Sequence, residues 1–295
     1  MGGSPNGGEL LVLAGDGVLV PACGTSFAAP IVTHSLAALA GDLGDRVDAN
    51  VLRAFPVHFA ERHRHRHKRQ NDVGYGRFPL SYDAHLSCGL DEVHVLFQDK
   101  IERGEILAYE LPVPPGEKGE VEVTVTIVCA SPVEPSQPTE YTQAALELKM
   151  RPNERVFTFT SPDKTSSHRL DLDEDIETVE KLLADNYKMS REPVTHPLGT
   201  HSKPENLLRD SGKWETVRHH AAKLDAVEIV GPRLEVSYLA RRSGGLNSEA
   251  PQVDFALLVT MKQEGNDQFY EQCRAKFDVL VPIDEEIQAH ASELS

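Results

Sequence analysis

An alternation of apolar and polar side chains over residues 121–129 limits the fold more than any other part of the sequence. Every second side chain from Val121 to Cys129 is apolar, so these side chains share one face of an extended strand. A strand with one apolar face is typical of an antiparallel sheet. That face needs a second layer packed against it, and the alternation therefore predicts two stacked sheets.

Further strand-like segments, rich in Val and Thr and bounded by Pro and Gly, extend this pattern along the chain. The predicted strands are 93–97, 105–111, 121–129, 146–150, 156–160, 214–219, 234–240, 255–261 and 277–282. Short strands at this spacing indicate a β-sandwich, which we expect over 81–285, followed by a tail at 286–295. Residues 161–212 are polar, with one helical stretch at 171–186, and are predicted to be an insertion in that domain.

Composition limits the classes of partner. The chain has 295 residues, with 30 Lys and Arg against 46 Asp and Glu, and a net charge of −16. Such an excess of negative charge argues against a nucleic-acid surface, and the sequence contains no apolar run that would cross a membrane. The four cysteines are widely spaced and form no CxxC motif, so we expect free thiols in a reducing cytoplasm. No ligand pattern for a metal or cofactor is present.

Residues 63–69 read His-Arg-His-Arg-His-Lys-Arg, an unusual basic run in an acidic chain. Three histidines at a spacing of two could chelate a metal, but the interleaved arginines would repel a cation. Two interpretations stay open: a solvated basic loop, or a patch that docks on an acidic surface.

Ser26 is the candidate catalytic residue. The strand-like segments Leu10–Leu13 and Val18–Val20 precede it, Gly24 gives a permissive backbone, and an apolar run from Ser26 to Ala40 follows. This order predicts a strand-to-helix turn that places Ser26 at a helix N-terminus, where free backbone N–H groups can stabilise an oxyanion. Pro30 is expected in the first helical turn, where few N–H groups are bonded.

The string Gly24-Thr25-Ser26-Phe27-Ala28-Ala29-Pro30 resembles the nucleophile motif of the subtilisin-like serine proteases, or subtilases. Residues 51–60 are similar to a later helix of that family, except for Pro56, which is expected to kink or end the helix, and Gly74-Tyr75-Gly76 resembles the turn that closes the protease domain. The resemblance implies that residues 1–80 are the C-terminal part of a catalytic domain with a doubly wound parallel sheet. It also implies a jelly-roll-like form for the sandwich. Residues 130–133, 140–141 and 213–217 resemble a cytoplasmic bacterial subgroup.

The family places its catalytic Asp, His and oxyanion Asn upstream of the serine. Only 25 residues precede Ser26; they contain no His, and neither Asp16 nor Asn6 has the family's context. The resemblance therefore implies that an upstream subtilase half would have to supply those three residues. Cys23 is an alternative nucleophile, and His34, His58 and the histidines of 63–67 are the candidates for a base within this chain.

Two functions follow as expectations. The first is a serine endopeptidase acting on protein or peptide substrates, with Ser26 as nucleophile, incomplete and inactive by itself. The second is a non-catalytic binding or interaction module derived from a subtilase, in which the Ser26 segment is only a structural helix.

Overall fold

The computed structural model describes residues 10–13, 15, 17–22, 24–44, 47–61, 74–114, 116, 118–136, 141–196, 198, 216–240 and 252–276. Contacts divide these residues into two compact units. The first holds the described residues up to Ser87, and the second holds those from Cys88 onward.

The first unit begins with a small hairpin followed by helices. Its elements are β1 (Leu10–Leu13), β2 (Leu19–Ala22), α1 (Thr25–Leu43), α2 (Ala49–His58) and α3 (Asp83–Leu86). The Asp48 side chain caps α2 by accepting a 2.8 Å hydrogen bond from the Val51 N–H, which satisfies one of the unpaired donors at that helix end. Phe55 of α2 packs edge-on against Tyr82, with ring centroids 5.8 Å apart, and both side chains are buried.

The predicted parallel-sheet remnant does not appear in this unit. β1 and β2 pair antiparallel, from Leu10 opposite Ala22 to Leu13 opposite Leu19, and no named strand of the described residues pairs parallel with another. The physical reason is the short connection between the two strands, which suits a hairpin, whereas a parallel pair needs a crossover of a dozen residues or more.

The second unit is sandwich-like and its named sheets are antiparallel. A four-stranded sheet has the order β10-β5-β12-β3, and a three-stranded sheet has the order β4-β11-β6. The strands are β3 (Glu92–Ile101), β4 (Ile106–Glu110), β5 (Glu120–Cys129), β6 (Ala144–Arg151), β10 (Val217–Asp225), β11 (Arg233–Ala240) and β12 (Val253–Lys262). The alternating segments predict a β-sandwich, and the antiparallel sheets of this unit confirm a sandwich-like fold.

The core lies between these two sheets. The alternating face of β5 is fully within it, as predicted, and each of its side chains from Val121 to Cys129 is at most 3% exposed. On β12, Phe255, Leu257, Val259 and Met261 join this core, while Leu234 and Val236 of β11 reach it from the opposite sheet. Burial of such side chains is the main stabilising contribution, about 1.5–3 kcal/mol for each large apolar group.

Part of the predicted insertion is more regular than its polar sequence indicates. β7 (Val156–Thr160) pairs with β8 (Ser167–Asp171) and with the short β9 (Lys188–Met189), and the helix between them, α4, covers only Ile176–Ala184. The helical prediction for 171–186 was therefore too long at both ends, because Asp171 ends β8, Asp175 is the N-cap of the helix and Asp185 is its C-cap.

Two differences occur near the end of the described chain. The strand expected at 214–219 is β10, which begins at Val217 and runs to Asp225. A helix that the sequence did not indicate, α5 (Phe269–Lys276), follows β12 and buries Phe269 and Cys273 in the sandwich core. The strand predicted at 277–282 lies outside the described residues.

Candidate functional site

Ser26 is the second residue of α1, directly after the Gly24-Thr25 step, and its side chain is exposed. Gly24 is the N-cap residue, with φ 154° and ψ 158°, and its carbonyl accepts a 3.1 Å hydrogen bond from the Ala28 N–H. A glycine supports this backbone conformation without a steric penalty. The turn therefore presents the Ser26 hydroxyl at the start of a 19-residue helix.

The electrostatics of this turn favour negative charge. The first four N–H groups of a helix have no intrahelical acceptor, and the Ser26 N–H is one of them. No acidic side chain lies in the first turn of α1, and no side chain caps its N-terminus. The partial positive charge of the helix end is thus available to an anion, which is the chemistry that an oxyanion donor needs.

The sequence predicts Pro30 in the first turn of the helix, but Pro30 is the sixth residue of α1. In an α-helix the N–H of residue 30 would donate to the carbonyl of residue 26, and proline has no N–H to donate. The Ser26 carbonyl therefore lacks its regular helical partner. Pro56 similarly lies inside α2, two residues before its end, so it stands where the helix stops.

No histidine of the described residues forms a hydrogen bond with Ser26. His34 is exposed on the same helix, eight residues further on, which places it about 12 Å along the axis. His58 is buried at the end of α2, with its ring edge-on to Phe59 at 4.8 Å. The structure thus places the candidate nucleophile at a helix N-terminus without bringing either candidate base to it.

Other predicted positions fall outside the described residues. These are Asn6, Asp16, Cys23 and the basic run at 63–69. Within the described residues, no group of three His, Cys, Asp or Glu side chains is arranged to hold a metal ion. Across the same ranges, no helix combines the length and apolar character of a membrane span.

The three described cysteines are Cys88, Cys129 and Cys273, and none of them forms a disulfide with another described residue. Cys273 is fully buried on α5, and burial raises the pKa of its thiol to about 12. A thiol with so high a pKa is not a nucleophile at neutral pH.

A cavity in the second unit was not anticipated from the sequence. It has a volume of about 410 Å³ and lies between the loop joining β4 to β5 and the turn joining β12 to α5. Lys118, Gln263, Glu264 and Gln272 are among its lining residues. The sequence feature that could have indicated this cavity is the presence of three glycines in the two lining segments, Gly116, Gly119 and Gly265.

No family model and no curated protein matches the chain. Among solved structures it is similar to the VP2 subviral particle of infectious bursal disease virus, with a TM-score of 0.24 and 10% identity over 60% of this chain and 34% of that chain. It is also similar to the T13 particle of the same virus, with a TM-score of 0.26 and 9% identity over 61% of this chain and 33% of that chain. The chain spans about a third of the length of these capsid proteins.

Proposed function

We propose that this chain is the serine-bearing part of a subtilisin-like endopeptidase, with Ser26 as the nucleophile that attacks the scissile carbonyl of a peptide. The observation that carries the proposal is the exposed Ser26 hydroxyl at an uncapped helix N-terminus. A nucleophile in this position has an oxyanion donor, its own N–H, within the same residue.

The same proposal requires residues that α1 does not supply. A serine hydroxyl is a weak nucleophile until a base removes its proton, and the described histidines form no hydrogen bond with Ser26. We infer that an upstream subtilase half supplies the His base, its orienting Asp and an Asn donor. The parallel sheet of that family, which the described strands do not form, would then be completed by that half.

The surface of α1 supports a role inside a larger domain. Its apolar residues run nearly all the way round the helix, yet only Ser35 and Leu39 are buried among its described side chains. Ile31 is 37% exposed, and Ala28, Ala29, Ala37 and Ala38 are exposed as well. A helix that is apolar on all sides is typical of a buried position, and an uncovered apolar patch marks an interaction surface.

Co-expression with an upstream subtilase half carrying Asp, His and Asn tests the proposal. We expect a stable complex by size-exclusion chromatography and casein hydrolysis that disappears in the Ser26→Ala variant. Thr33→Ala is the matched control, because it removes another exposed hydroxyl from the same helix and should keep full activity. A complex that forms but hydrolyses casein equally well with Ser26→Ala would overturn the nucleophile assignment.

The second candidate function is a non-catalytic binding module, and it is favoured by the missing contact between Ser26 and a described histidine. In that case the sandwich recognises a partner, and α1 is a structural helix. A monomeric chain that neither binds the upstream half nor gains activity would favour this function. The cytoplasmic location stays part of both proposals and is testable by cell fractionation.

A further inference from the structure

The cavity between the β4–β5 loop and the β12–α5 turn is held by fixed contacts on both sides. The Gly119 carbonyl accepts a 2.8 Å hydrogen bond from the Ala226 N–H, and a Cβ added at Gly116 would approach the Ala226 Cβ to 2.8 Å. The first loop therefore packs closely against Ala226, and glycine at position 116 permits this approach.

An amide network fixes the second side. Gln263 is 9% exposed; its Nε2 donates to the Lys118 carbonyl at 3.3 Å, and its Oε1 accepts from Asn266 Nδ2 at 2.7 Å. Asn266 Nδ2 also donates to Gln272 Oε1 at 3.1 Å. The network joins the two sides of the cavity, and it leaves the Gln272 amide nitrogen with no hydrogen-bond acceptor among the described residues.

Two side chains of opposite charge, Lys118 and Glu264, line this cavity, and both are exposed. No described carboxylate lies within ion-pair distance of Lys118 Nζ, and no described cation lies within that distance of the Glu264 carboxylate. The nearby Lys262 ammonium is paired with Asp91 at 3.4 Å and with Glu92 at 3.8 Å, and the charge of Glu264 also acts to raise the pKa of Lys262. Among its described lining residues the cavity thus offers one cation, one anion and amide donors, in an open volume of about 410 Å³.

We propose that this cavity binds a small zwitterion of the α-amino acid or dipeptide class, with Lys118 facing the ligand carboxylate and Glu264 facing its ammonium group. The argument is charge complementarity: a ligand with one charge of each sign satisfies both side chains, whereas an anion or a cation satisfies one and meets repulsion from the other. The Gln272 amide adds a donor for the carboxylate or for a peptide carbonyl. This site is in the second unit and does not rest on Ser26.

A charge series of dipeptide probes tests the proposal on the full chain by calorimetric or NMR titration. The probes are glycylglycine, N-acetylglycylglycine, glycylglycinamide and N-acetylglycinamide. We expect saturable millimolar binding of glycylglycine, about fivefold tighter than either singly charged probe, because ion pairs with exposed side chains are weak. No saturable binding of glycylglycine, or equal binding of the neutral probe, would overturn the proposal.

Two variants assign the charges. Glu264→Gln should abolish the preference for glycylglycine over N-acetylglycylglycine, and Lys118→Met should abolish its preference over glycylglycinamide. Glu271→Gln and Lys181→Met are matched controls, since both side chains are exposed and neither lines the cavity. Each variant is used only if its urea midpoint matches the wild type. Retention of both preferences in the two cavity variants would contradict the assignment, and unchanged binding in Ser26→Ala would show that the two sites are independent.

Discussion

Arg151 and Glu235 form a buried ion pair on adjacent strands, β6 and β11, with Arg151 Nε 2.5 Å from Glu235 Oε1 and side chains 8% and 10% exposed. Arg151 also donates to the Pro193 carbonyl, and its second terminal nitrogen lies 3.8 Å from Glu192. The pair therefore joins the segment that follows β9 to the three-stranded sheet. A buried charge pair is held at a desolvation cost, so loss of one partner is more damaging than loss of both.

We predict that Arg151→Met lowers the free energy of unfolding by about 3–5 kcal/mol, because it leaves the Glu235 carboxylate buried beside only one remaining guanidinium. Urea denaturation measures the change. The matched control is Lys223→Met, which breaks the exposed pair with Glu120 and should cost at most about 1 kcal/mol. The double variant Arg151→Met, Glu235→Leu should recover much of the loss; a double variant no more stable than Arg151→Met would contradict this account.

The same pair predicts a pH dependence. Burial acts to raise the pKa of Glu235, but the hydrogen bond and charge of Arg151, together with Arg233, outweigh it and hold that pKa below its ordinary value of 4.5. A lowered folded-state pKa contributes stability above pH 4.5, and this contribution is lost as the pH falls through the folded-state pKa.

Glu235→Gln removes this titration. The advantage of the wild type over the variant should be constant from pH 7 to about pH 5 and should shrink at lower pH. Urea midpoints measured across that range, with wild type and variant in the same buffers, provide the test. An advantage that stays constant down to pH 3 would exclude Glu235 as the source.

Cysteine reactivity gives an independent test of the α5 packing. Cys273 is fully buried, and burial raises its thiol pKa to about 12, whereas Cys88 is half-buried. We predict that iodoacetamide at neutral pH modifies Cys88 in the native protein and modifies Cys273 only after unfolding. Peptide mass spectrometry of native and urea-treated samples reads both sites, and rapid native modification of Cys273 would show that α5 is not docked on the core.

Hydrogen exchange should separate the two units. In the described part of α1 only Ser35 and Leu39 are buried, while β12 lies between two paired strands and most of its side chains are covered. Amides in elements with few buried contacts open at lower cost. We predict faster exchange in α1 than in β5 and β12, measured by peptide-resolved mass spectrometry. Equal exchange rates in these three elements of a monomeric chain would contradict the prediction.

The sandwich was predictable because its central strands carry a local signal. β5 alternates, and β12 contains a continuous apolar run over residues 255–259, so both can be recognised before any pairing is known. β8 gives no such signal, since Ser167–Asp171 is polar and becomes a strand by pairing with β7. The sequence of α5 also lacks a clear helical pattern, because only two of its residues, Phe269 and Cys273, are buried, one helical turn apart.

The candidate sites differ in the same way. The helix start at Ser26 could be read from consecutive residues, because a glycine followed by an apolar run is a local pattern. The cavity could not, because Lys118 and Glu264 are distant in sequence and are brought to the same cavity only through the pairing of β5 with β12, where Glu122 lies opposite Lys262. Long-range strand register is what local patterns leave undetermined.

The isolated chain should react with a fluorophosphonate probe no faster than its Ser26→Ala variant. The described histidines give Ser26 no base, and loss of the base in a coupled serine triad costs up to about 10⁶ in rate. The measurement is probe labelling over time followed by gel fluorescence, with Thr33→Ala as the control for an exposed hydroxyl on the same helix. Clear labelling that depends on Ser26 would mean that this chain holds its own base. His34 would then be the least suitable candidate, since it lies about 12 Å further along α1, and substitution of His58 and of His63, His65 and His67 would identify the residue responsible.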